Sequence, residues 1–181
     1  MSETMQLPGD PPQRKAIARM IRVDHAGEYG AMRIYAGQRA MLRNGASNAL
    51  LAHMEAQEKQ HLETFSALIA ERRVRPTALL PLWHVAGFAL GAITAALGEH
   101  AAMACTVAVE ETIDAHYARQ AAALGPEEAA LRQTIETFRA EECEHRDIGL
   151  AHGAERTPGY HLLSAVIKAG CRAAIALSEV I

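Results

Sequence analysis

Glu58-Lys59-Gln60-His61 and Glu142-Cys143-Glu144-His145 decide how this chain folds. On an α-helix, residues three apart stand one above the other on the same face, so each Glu-x-x-His can turn a carboxylate and an imidazole toward one metal ion. Another glutamate precedes each run: Glu28 lies 30 residues before Glu58, and Glu110 lies 32 before Glu142. Four carboxylates and two imidazoles are the donor set of a di-iron or di-manganese carboxylate bundle. With 17 Glu and 9 His in 181 residues, chance alone supplies about one Glu-x-x-His. The weight therefore rests on the order of the six residues. A helix of roughly 25 residues plus a short turn fills each interval, so the chain reads as two similar halves, each an antiparallel helix pair with its donors level.

Composition agrees with an all-α fold. Half the residues are apolar, only 4% are aromatic and β-branched runs are nearly absent, which favours helices around one substantial core. A net charge of −3, with no Gly-rich phosphate loop or dinucleotide fingerprint, gives no reason to expect nucleic acid as a partner. Cys105, Cys143 and Cys171 are scattered and odd in number, which argues against a disulfide framework and for a reducing compartment. Residues 1–12 carry Glu3, Asp10 and three prolines. They read as a loose lead-in, neither a secretory signal nor an Arg-rich transit peptide, ahead of a single domain over 13–181.

Breaker residues divide that domain. The spacing predicts a first helix over 13–43, stopped by Asn44-Gly45, and a second from an N-cap at Ser47 to about Arg73, closed by Pro76. A third covers the uncharged residues 79–98, with Pro81 in its first turn. A fourth runs from Glu99 to about Leu124. Gly125-Pro126 then turns the chain into a fifth, which Gly153 terminates, and an apolar sixth covers about 161–179. The fold expected is a ferritin-like four-helix bundle with two additional apolar helices.

Roughly 20 uncharged residues could span a bilayer, but the donor positions oppose it. Glu28, Glu58 and His61 precede the segment and Glu110, Glu142 and His145 follow it, so one crossing would split the site. The segment is expected to lie on the membrane surface, with Trp83 at headgroup level and Gly87-x-x-x-Gly91 packed against Ala169, Ala173 and Ala176 of the last helix. An ordinary buried core helix is the alternative.

Spacing alone does not choose between Glu110 and Glu111. Glu110 shares its face with Asp114 and Tyr117, four and seven residues on, so selecting it groups three polar side chains inward. Asp24, one turn before Glu28, and Tyr35, two turns after it, lie on the same stripe of the first helix. Asp24, Asp114 and Glu141 are candidates for accepting the outer ring proton of a ligating histidine, and Tyr35 and Tyr117 for auxiliary roles beside substrate. His25, His84, His116 and Cys143 have simpler structural explanations and are not in the expected ligand set.

The strings around these residues also resemble a known family. Arg22-Val23-Asp24-His25-Ala26-Gly27-Glu28-Tyr29-Gly30-Ala31, Glu58-Lys59-Gln60-His61-Leu62, Ala104-Cys105-Thr106-Val107-Ala108-Val109-Glu110-Glu111, Glu142-Cys143-Glu144-His145-Arg146-Asp147-Ile148-Gly149 and Ala169-Gly170-Cys171-Arg172 are similar to segments of the demethoxyubiquinone hydroxylases of ubiquinone biosynthesis. The likeness covers nearly the whole chain after residue 13. It implies a di-iron monooxygenase with two Fe ions per chain, held by Glu28, Glu58, His61, Glu110, Glu142 and His145, which selects Glu110 over Glu111. It further implies O2 as co-substrate, NADH as ultimate reductant, a polyprenyl benzoquinone as substrate, and peripheral attachment to the cytoplasmic side of the cell membrane. A bacterial member, or a processed form, fits the lead-in. A homo-oligomer and partner proteins of ubiquinone biosynthesis are compatible with this reading. Competing readings are a ferritin-like iron-binding or storage protein, another di-metal enzyme, and a non-catalytic lipid-quinone carrier.

Overall fold

The computed structural model describes residues 12–43 and 47–181. The lead-in through residue 11 and the Asn44-Gly45 stop lie outside the described residues. Among the described residues six helices follow one another: α1 (Pro12–Met41), α2 (Asn48–Arg72), α3 (Leu80–Ala96), α4 (Glu99–Ala123), α5 (Ala129–Ala151) and α6 (Tyr160–Val180). Single 3₁₀ turns at Pro126–Glu128 and Ala154–Arg156 precede α5 and α6. Gly98 and Gly153 have φ of +119° and +81°, a region that glycine enters without strain. They set the α3–α4 turn and the expected stop of α5.

The bundle is ferritin-like. α1 pairs with α2 and α4 with α5, while α3 lies on α1 and α6 on α4. The two-half organisation thus extends to the apolar helices, one to each pair. α4 is buried on every side from Ala101 to Glu110, and a helix apolar all round belongs in a core. Its run of Ala, Cys, Thr and Val lets neighbours approach closely. One core cluster packs Ile21, Phe65, Tyr117 and Ile135, another Tyr35, Leu51, Met54 and Met103. The donor cage lies on the helices that supply both.

Two expectations are corrected. Ser47 does not cap α2: its backbone is helical and no side-chain cap bond forms. Instead its backbone N–H and hydroxyl both donate to the Glu99 carboxylate, tying α2 to the start of α4. The Gly87-x-x-x-Gly91 pair packs on α1, not on α6. A Cβ on Gly87 would sit 2.8 Å from the Gly30 carbonyl oxygen, and one on Gly91 would run into that of Ile34. From the other side, Gly37 meets the Phe88 carbonyl in the same way. Trp83 is half-buried and donates to the Ser178 hydroxyl at 3.1 Å, linking α3 to α6. Gly91→Val should therefore cost about 3 kcal/mol by overpacking, read as a lowered midpoint in urea.

α3 is not a core helix either. Val85 and Ile93 are 65% and 61% exposed, and on α6 Leu162 and Val166 are 73% and 61% exposed. Such an array of large apolar side chains in solvent departs from an ordinary protein surface. None of the described helices is long and apolar enough to cross a membrane.

Candidate metal centre

α1, α2, α4 and α5 turn six side chains into one buried cage. Glu28, Glu58, His61, Glu110, Glu142 and His145 are all at most 3% exposed. Their donor atoms form two groups, Glu28, Glu58, His61 and Glu142, and Glu58, Glu110, Glu142 and His145, each with its atoms within 4.8 Å of one another. Glu58 and Glu142 belong to both. Two cation positions sharing two carboxylates follow from that overlap.

The histidines are held from outside. His61 turns Nδ1 inward, 3.4 Å from a Glu28 oxygen and 3.1 Å from a Glu142 oxygen, while Nε2 pairs with the Glu141 carboxylate. His145 turns Nδ1 inward, 3.3 Å from both Glu58 and Glu142, and its Nε2 lies 3.0 Å from Gln57 Oε1. With Nδ1 facing a metal, Nε2 keeps the proton and donates it, which fixes the ring. Phe138 stacks on His61 at 3.9 Å between ring centres.

Each tyrosine reaches across to the other half. Tyr35 on α1 donates to Glu110 at 2.7 Å, and Tyr117 on α4 donates to Glu28. Both are almost fully buried, so the structure assigns them hydrogen bonds to candidate ligands. Gln38 on α1 donates toward Thr106 on α4, and Gln120 on α4 donates to Asp24 on α1. Glu28 and Glu110, Tyr35 and Tyr117, Gln38 and Gln120, and Asp24 and Thr106 are each 82 positions apart. The repeat therefore governs the cage's supports as well as the cage.

Of the three expected histidine partners, only Glu141 takes that role. Asp24 lies against His116 at 3.3 Å and Gln120 at 2.7 Å, and Asp114 accepts from Arg139 at 2.6 Å. Helix rotation aims both away from the ligating rings. Gln57 was missed, although a signal existed: it precedes Glu58 as Glu141 precedes Glu142. His116, set aside as structural, is buried against Asp24.

Electrostatics mark the cage as built for cations. Burial pushes Glu58 and Glu110 well above the usual carboxylate range, and the charges of neighbouring glutamates, Glu142 foremost, push them further. Burial pulls the His61 imidazole down, but Glu142 and Glu28 beside it overcome this and hold it up at about 11. Burial also opposes ionisation of Glu142, yet the imidazoles of His145 and His61 beside it hold it down at about 2. Both oxygens of Glu58 and Glu142, Oε2 of Glu110, and Nδ1 of each histidine are buried without a partner in hydrogen-bonding geometry. Orphaned buried polar atoms are rare and costly, and here all of them face one space. Carboxylate oxygen with one imidazole per position suits iron or manganese, so the residues fit a pair of such ions.

A pH dependence follows. His61 is raised above its ordinary 6.5, so its contribution to the metal-free fold is complete below about 6.5 and is lost as pH climbs toward 11. Glu58 and Glu110 act in the same direction above their ordinary 4.5. Metal must displace those protons. The gap in melting temperature between metal-loaded and chelator-treated protein should therefore widen from about pH 6.5 upward. Calorimetry in buffers of different ionisation enthalpy should detect protons released on loading.

Beside the cage, across α1, runs an apolar groove of about 440 Å³. Gly27 and Gly30 of α1, Leu90 of α3, Ile113 of α4, and Ile167 and Ile175 of α6 help to line it. Gly27 and Gly30 face the groove while Glu28 between them faces the cage.

The comparisons with known proteins bear on this arrangement. The family model described as "Ubiquinone biosynthesis protein COQ7" matches residues 15–178. The chain belongs to the COQ7 family. A Rhodospirillum rubrum protein named 3-demethoxyubiquinol 3-hydroxylase is 59% identical over 175 residues, covering 96% of this chain and 82% of the relative. The human NADPH-dependent 3-demethoxyubiquinone 3-hydroxylase, mitochondrial, is 56% identical over 92% of this chain and 78% of its own length. The Saccharomyces cerevisiae 5-demethoxyubiquinone hydroxylase, mitochondrial, is 41% identical over 92% and 79%. In this COQ7-family chain the matched span contains the whole cage, its supports and every groove residue named above.

Proposed function

We propose that this chain is an O2-dependent di-iron monooxygenase that hydroxylates the benzoquinone ring of a polyprenylated demethoxyubiquinone, a late step of ubiquinone biosynthesis. The observation that carries it is the pairing of a buried cage of orphaned donor atoms with an apolar groove one helix away. The names of the relatives supply the substrate class. Glu28, Glu58, His61 and Glu142 hold one iron, and Glu58, Glu110, Glu142 and His145 the other. When bound, an iron(II) pair would supply the two electrons with which O2 and two protons convert the ring C–H to a hydroxyl and release one water, and two external electrons would then restore iron(II). Tyr35 and Tyr117 hold the outer carboxylates in place, and Glu141 and Gln57 fix the rings. The groove excludes water and seats the ring beside Glu28, with the prenyl tail running between α3 and α6. An iron store has no use for such a groove, and a quinone carrier has none for the cage.

The exposed apolar faces of α3 and α6 dock the protein on the cytoplasmic side of the cell membrane, where a tail gaining about 0.8 kcal/mol per buried CH2 resides. Ile93→Asp should release the protein from phospholipid vesicles by co-sedimentation while leaving iron content unchanged. Ile93 is the clean probe, because Leu90 on the same helix turns into the groove.

The deciding experiment loads the protein with iron(II) without air, then adds a short-tailed demethoxyquinone and ¹⁸O2. The product should carry one labelled oxygen. NADH serves as ultimate reductant, and since the human relative is named for NADPH, each is tested under turnover. Absence of a labelled product under both would refute the proposal.

A further inference from the structure

The two halves of the cage differ in the outer partners of the histidines. His61 Nε2 faces the carboxylate of Glu141, and His145 Nε2 faces the amide oxygen of Gln57. Both partners occupy the residue before a shared glutamate, and both reach across from the opposite helix of the α2–α5 pair. Their geometry is equivalent and their charge is not. A carboxylate acceptor draws more strongly on the ring proton than an amide does. It raises the electron density at the metal-facing nitrogen and places an additional negative charge behind the ring.

We propose that the two iron positions are built unequal, with Glu141 as a positioning residue that makes the His61 position bind iron(II) more tightly and fill first. The inference rests on the di-iron reading above. Outer partners of this kind change metal affinity by about 10- to 100-fold, so at one equivalent of iron the His61 position should hold about three-quarters to nine-tenths of it.

Mössbauer spectroscopy of metal-free protein given one and then two equivalents of ⁵⁷Fe(II) without air tests this. Wild type should show one dominant quadrupole doublet at one equivalent and a second that grows to match it on further addition. The first doublet should persist in His145→Ala and vanish in His61→Ala. Glu141→Gln makes both partners amides and Gln57→Glu makes both carboxylates, so each should divide the first equivalent about evenly between two doublets. The exchanged variant Gln57→Glu/Glu141→Gln should restore selectivity with the order reversed. A purely structural role for Glu141 would lower iron binding in the single variants, and the exchange would not restore order. Even filling in wild type, or selectivity unchanged in Glu141→Gln, overturns the proposal. Failure of wild type to bind iron at all overturns the di-iron reading and the proposal with it.

Discussion

Glu142→Ala is expected to abolish hydroxylation and to empty both iron positions. Glu142 is in both donor groups and lies 3.1 Å from His61 and 3.3 Å from His145, so its loss damages the two positions together. Outer partners alone are worth about 10- to 100-fold in metal affinity or activity. Removing a shared ligand should therefore exceed about 100-fold in turnover. Glu110→Ala is the informative comparison, because it leaves the group of Glu28, Glu58, His61 and Glu142 complete. Metal analysis should find close to one iron per chain in Glu110→Ala and almost none in Glu142→Ala. Persistence of labelled product in Glu142→Ala would remove that residue from the site.

Gly30→Leu should separate stability from activity. A Cβ at Gly30 meets no other heavy atom within 4 Å, and the residue lies inside a helix, where glycine costs about 1 kcal/mol relative to a good helix former. Neither packing nor backbone geometry calls for glycine here. A leucine would gain helix propensity and fill the groove within one helical turn of Glu28. The variant should melt higher than wild type and retain two irons, yet turn over short-tailed demethoxyquinone at least about tenfold more slowly, the effect of losing roughly 1.4 kcal/mol of binding or orientation. A variant that is more stable and fully active would place the ring elsewhere.

The cage was legible in the sequence because its defining relations lie along single helices. Glu58 and His61, or Glu110 and Tyr117, share a face whatever the rest of the chain does. Relations between helices were harder to read. Asp114 has the right spacing to support a ligand but meets Arg139, since the rotation of α4 against α5 is set by packing along the whole pair. For the same reason Gly87 and Gly91 could be recognised as a close-contact surface but were assigned to α6 instead of α1. Gln57 escaped for a chemical reason: an amide is not an obvious partner for a histidine, and only its place in the repeat marks it.

Had the two halves been separate copies of one polypeptide related by a two-fold axis, both histidines would necessarily face the same residue. Carrying both halves on one covalent chain removes that constraint. Gln57 and Glu141 can then differ while Glu28 and Glu110, Tyr35 and Tyr117, and Gln38 and Gln120 stay alike. Duplication supplies the matching scaffold for two ions, and the join at α3 and α4 frees each half to diverge, which no symmetric assembly could do one site at a time.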